Sequence, residues 1–124
     1  MVPIHTLRSS VMSIEVPIDQ LFAELSQWGA GFLATVGDDG RPRLIALRPV
    51  AAETADGPVL EFAGAGRSAC HNVAERPNVS VVFPPHEHSN GFSLIVDGVG
   101  SPAADQDSVV HVRPSWAVLH RRAP

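Results

Sequence analysis

Apolar positions near the start of the chain fall at helical spacing. Ile18, Leu21, Phe22, Leu25 and Trp28 form one stripe and predict an amphipathic helix over residues 18–28. Pro17 suits its start, Asp19 complements the dipole of its first turn, and Gly29 suits its end. Beyond it the pattern shortens to that of strands. Residues 31–37 read as a strand, the turn at 38–41 carries the hairpin signal Asp39-Gly40, and a second strand covers 42–50. Residues 51–58 hold Glu53, Asp56, Gly57 and Pro58 and read as a turn before the strand 59–62. Small residues at 63–66 lead into a short helix over 68–76, stopped by Pro77. Residues 79–83 form a compact apolar strand, and 86–90 a polar loop. In 91–100, Phe92, Leu94 and Val96 alternate with Ser93, Ile95 and Asp97, and Gly98 and Gly100 suggest a bend or bulge. After a turn at 102–107, the last strand character lies at 109–112 and 116–120, interrupted by Arg113-Pro114-Ser115.

The expected fold is mainly β. About six antiparallel strands are punctuated by turns at the spacing of a barrel or sandwich, with an N-terminal helix and one short inserted helix. The tight 38–41 turn and the single helix between strands argue against a doubly wound parallel sheet. Residues 15–124 are expected to form a single domain, and 1–14 a flexible N-terminal arm.

Composition narrows the class. The chain has 124 residues, 44% of them hydrophobic and 18% charged, which suits one compact core. A net charge of −4 argues against a nucleic-acid partner. No apolar run approaches the roughly 20 residues of a membrane helix, and the N-terminus lacks the apolar stretch of a signal peptide. With the lone Cys70, these features place the protein in the cytoplasm, away from membranes. All nine Lys and Arg positions are arginine, so any bound anion must be met by guanidinium groups.

Three segments carry candidate chemistry. The run Arg43-Leu44-Ile45-Ala46-Leu47-Arg48 sets two cations around an apolar strand. Gly64-Ala65-Gly66-Arg67-Ser68 leads into a helix whose first N–H groups, with the Arg67 fork and the Ser68 hydroxyl, suit a phosphate. The third segment runs from Asn72 to Phe83. A spacing of five puts Arg43 and Arg48 on opposite faces of a regular strand, so both meet one phosphate only across a bulge or strong twist.

The run RLIALR, the later LEFAGAGRSACHNVAERPNVSVVFPP and the opening ATVGDDGRPR together resemble the pyridoxamine 5'-phosphate oxidase-like family in order and spacing, over about residues 18–122. The resemblance implies a six-stranded split β-barrel and a homodimer with FMN in a groove at the subunit interface. By position, Arg43 and Arg48 would reach the phosphate. Leu44, Ile45, Ala46 and Leu47 would lie along the isoalloxazine, Phe62 and Ala63 would border the cofactor, and Gly66, Arg67 and Ser68 would close on the phosphate. Two departures stand out. Ser68 and Ala69 occupy the positions where the family commonly has a basic pair, and the chain ends at Pro124 without the extension of the true oxidases. The expected function is an FMN-dependent oxidoreductase acting on a small-molecule substrate. The alternatives are a deazaflavin- or haem-binding barrel and a non-catalytic dimeric ligand-binding protein. His86-Glu87-His88 lacks the further ligands a structural metal needs, and Cys70 reads as buried filler.

Overall fold

The computed structural model describes residues 11–104 and 106–123. Eight strands alternate with two helices: β1 (Ser13–Glu15), α1 (Ile18–Glu24), β2 (Gly31–Val36), β3 (Pro42–Leu47), β4 (Val50–Thr54), β5 (Gly57–Ala63), α2 (Arg67–Glu75), β6 (Asn78–Phe83), β7 (Ser93–Pro102) and β8 (Val109–His120). A single 3-10 turn, Leu25–Gln27, extends α1. All strand pairs are antiparallel, in the order β3-β2-β6-β7-β8-β5-β4. The end strands β3 and β4 are joined by only Arg48 and Pro49. Two residues span at most about 11 Å between flanking Cα atoms, so the sheet must curl until its ends approach there. With no hydrogen-bonded ladder between β3 and β4, the result is a barrel with a seam.

The interior follows from the two-residue alternation of the strands. Leu33, Val81, Phe83, Leu94, Val96, Val110, Val112, Leu119, Leu60 and Phe62 point inward and are buried. The α1 stripe behaves as its spacing predicts: Leu21 and Trp28 are buried, and Ile18, Phe22 and Leu25 pack against the core. The Trp28 ring lies 6.4 Å from Phe83, and its indole N–H donates to Glu24 Oε1 at 3.2 Å. Helix α2 lays Ala69, Cys70 and Val73 onto the barrel against β2, β7 and β8.

Three expectations are corrected. Among the described residues there are eight strands rather than six. Residues 51–58 are not a turn: Val50–Thr54 and Gly57–Ala63 form a hairpin around Ala55 and Asp56, with Thr54 Oγ1 donating to the Gly57 carbonyl at 2.8 Å. The two short segments at the end are one strand, β8, running through Pro114. Proline is tolerated there because β5 pairs with β8 only up to Val112 and β1 only from Val118, and because the β7–β8 register shifts at Asp97/Gly98, opposite Pro114. Of the expected arm 1–14, Ser13 and Ile14 belong to β1, paired with His120 and Leu119; residues 1–10 lie outside the described residues.

Candidate functional site

The β2–β3 hairpin and α2 enclose a cleft of about 740 Å³, lined by residues from the hairpin (Thr35, Gly37, Asp38, Asp39, Arg43, Leu44, Ile45) and from the loop and helix that follow β5 (Ala65, Arg67, Ser68, Ala69, His71, Asn72). The strand register explains what the hairpin contributes. Thr35 and Arg43 are Cα partners, as are Leu33 and Ile45, so Arg43 and Ile45 share the inner face with Thr35. Leu44 and Ala46 therefore face outward, Leu44 with 66% of its surface exposed.

Gly66 caps α2 at φ 91, a backbone conformation that favours glycine, and no side chain caps the helix. The first N–H groups of α2 are left for solvent or a ligand, with Ser68 and Arg67 beside them. Arg67 is exposed, and its Nε stands 3.9 Å from Oδ2 of the equally exposed Asp107, a weak attachment.

The rim is more acidic than the sequence motifs suggest. Arg43 Nη2 donates to Asp39 Oδ2 at 2.8 Å. Asp38 accepts from Arg76 Nη2 at 2.6 Å and from His71 Nε2 at 2.9 and 3.0 Å, so His71 carries a proton on Nε2. The Arg76 hydrogen bond, then that of His71, holds the Asp38 carboxyl below its ordinary range. Arg76 also donates from Nε to the Val36 carbonyl at 2.8 Å, tying the helix end to β2. On the floor, Asn72 Nδ2 donates to Thr35 Oγ1 at 3.0 Å, and both residues are buried.

The cleft thus brings together Arg43, Leu44, Ile45, Arg67 and Ser68 of the residues expected from sequence. Gly66, the cap of α2, is the residue between the cleft-lining Ala65 and Arg67. The rest lie elsewhere. Arg48, just past β3, is exposed and is not on the cleft wall, as its odd spacing from Arg43 requires. Ala46 faces outward, Leu47 packs against the core, and Ala63 is exposed at the end of β5. Phe62 is fully buried, so it supports the barrel from within rather than bordering a ligand in this cleft.

Sequence reasoning missed Thr35, Asp38 and His71 as site residues and gave Asn72 no separate role. A usable signal existed: Thr35 is a polar residue on the inward register of β2, and Asn72 is one on the apolar face of α2. Asp38 and His71 carried no such mark, because they meet only when the hairpin turn folds against α2.

Other candidates resolve into structure. Cys70 is buried, its Sγ 3.5 Å from the Val109 carbonyl, and burial raises its thiol pKa. His86 packs edge-on against Trp28 at 4.7 Å. Among the described residues, no group of three His, Cys, Asp or Glu side chains is placed to hold a metal, and no helix is long and apolar enough to cross a membrane.

The sequence profile of the family described as pyridoxamine 5'-phosphate oxidase matches residues 18–122. The chain belongs to this family. Among family relatives, an uncharacterized protein of Mycobacterium bovis is 36% identical over 118 residues, covering 88% of this chain and 82% of its own. Solved structures share the split-barrel fold. A FAD-binding protein from Mesorhizobium loti superposes with a TM-score of 0.61 at 15% identity, covering 90% of this chain and all of the other. An F420 reductase superposes with a TM-score of 0.51 at 24% identity, over 69% of this chain and 86% of the other.

Proposed function

We propose that this family member is a homodimeric FMN-binding oxidoreductase that seats the cofactor phosphate in the cleft between β3 and α2. The observation that carries the reading is the convergence of Arg43, Arg67, Ser68 and the uncapped start of α2 on one cleft. These groups fit a phosphate: two guanidinium forks, a hydroxyl and backbone N–H donors. The flavin, when bound, supplies the redox chemistry. The chain's own residues bind and orient it. Arg43 must exchange its bond to Asp39 for one to phosphate, or share itself between them, so Asp39 tempers the affinity. Asp38, held by Arg76 and His71, fixes the helix against the hairpin and keeps the cleft walls in place. Leu44, exposed at the cleft edge, offers an apolar surface to a ring.

Titration of the purified protein with FMN, followed by flavin fluorescence, tests this reading. Binding is expected, and Arg67→Ala should weaken it by about 1–3 kcal/mol. A protein that takes up no FMN refutes the assignment of that cofactor.

A second reading, a deazaflavin with a long anionic tail, is favoured by another cleft. It measures about 630 Å³ and is lined in part by His120, Arg121 and Arg122. A parallel titration with the deazaflavin separates the two readings: tighter binding of the deazaflavin, weakened by Arg122→Ala, selects the second.

A further inference from the structure

The floor of the β3–α2 cleft holds hydrogen-bonding capacity that the protein does not use. Thr35 and Asn72 are 3% and 6% exposed, and both line the cleft. Their mutual bond, Asn72 Nδ2 to Thr35 Oγ1, is the one side-chain hydrogen bond that either forms among the described residues. It leaves the Thr35 hydroxyl proton and the Asn72 carbonyl oxygen without protein partners. No sealed side-chain nitrogen or oxygen lacks a partner among the described residues, so Asn72 Oδ1 is not walled off, and the residue that carries it lines the cleft.

We propose that Thr35 and Asn72 read an alcohol hydroxyl on the ligand, close to its phosphate, and so select polyol phosphates over plain alkyl phosphates. This rests on the phosphate reading of the cleft given above. A hydroxyl is the simplest group that satisfies both: it accepts from the Thr35 O–H and donates to Asn72 Oδ1. The match survives if the Asn72 amide is turned over, since the hydroxyl then accepts from Nδ2 and donates to Thr35 Oγ1. An ionised phosphate oxygen has no proton to give Asn72 Oδ1, and a methylene leaves both floor groups unpaired, at a desolvation cost.

The phosphate donors stand beside this pair. Arg43 is the cross-strand Cα partner of Thr35. Ser68 lies one turn before Asn72 on the same face of α2. The hydroxyl and the phosphate must therefore be a few atoms apart on one chain, as in the ribityl phosphate of FMN.

Calorimetric titration of the whole chain with ribitol 5-phosphate and with n-pentyl phosphate tests the inference without any bound flavin. Ribitol 5-phosphate is expected to bind about 5–50-fold more tightly, the worth of one to two hydrogen bonds. Thr35→Val should bring the two affinities within about twofold, and Thr35→Ser, which keeps the hydroxyl, should restore most of the difference. Equal affinities for the wild type would overturn the inference and leave the phosphate reading standing. A difference that persists in Thr35→Val would overturn it too. If neither compound binds, both readings fall together. The wild-type comparison decides even if Thr35→Val does not fold.

Discussion

Asp38 shows how a single exposed side chain is set by its partners. It accepts hydrogen bonds from Arg76 and His71, which hold its carboxyl below the ordinary range. The sign of the resulting pH dependence follows from linkage. A carboxyl whose folded pKa is depressed stabilises the fold fully above its unfolded value, and this contribution is lost as the pH falls through the folded one. The difference in urea midpoint between wild type and Asp38→Asn should be positive and level near neutral pH. It should shrink toward zero as the pH is lowered below the ordinary carboxylate range. A difference that grows on acidification contradicts the assignment. The effect will be modest, because the carboxyl is solvent-exposed and its ion pairs are screened.

Elements, unlike single residues, are positioned by close approach. Helix α2 meets β7 where Gly100 lies beneath Val73, and a Cβ at Gly100 would stand 2.9 Å from Val73 Cγ1 and 3.2 Å from Val73 Cβ. Gly100→Ala should therefore destabilise the protein by about 1–3 kcal/mol in urea unfolding. The penalty should shrink in a Val73→Ala background; an unchanged penalty would mean that the added methyl does not meet Val73. This contact also bears on how much could be read from the chain alone. The helices were legible, since their stripes and the stops at Gly29 and Pro77 are local signals. The β2–β3 hairpin was equally legible from Asp39-Gly40. The β4–β5 hairpin was not, because its turn residues masked a strand as short as Val50–Thr54. The continuity of β8 was hidden by Pro114, whose tolerance depends on the bulge at Gly98 and on where β1 and β5 stop. In the site, the cations at Arg43 and Arg67 were visible as motifs. The Asp38–His71–Arg76 cluster was not, for it joins residues 33 and 38 positions apart.

At the scale of the molecule, the outer surface of the barrel raises the question of a partner. Cross-strand register places Phe32 of β2, Leu44 of β3, Val99 of β7 and Trp116 of β8 on the outer face, and all four are exposed. Isolated apolar residues on a surface need no explanation, but several on one face of a sheet point to an interface. Leu44 belongs both to this face and to the cleft, so whatever covers the face reaches the rim of the site. A second copy of the chain is the expected occupant, which would make the cleft a shared feature of two subunits. Light scattering should then give a dimer mass at micromolar concentration. Trp116→Glu, which alters the face without touching the cleft wall, should yield a folded monomer. If the partner completes the site, that monomer should also lose most of its FMN affinity. A monomer that retains full affinity would show that one chain holds the cofactor alone, and a wild type that is monomeric at all concentrations would remove the dimer altogether. Because the two readouts are separate, the role of the face and the role of the partner in the site are decided independently.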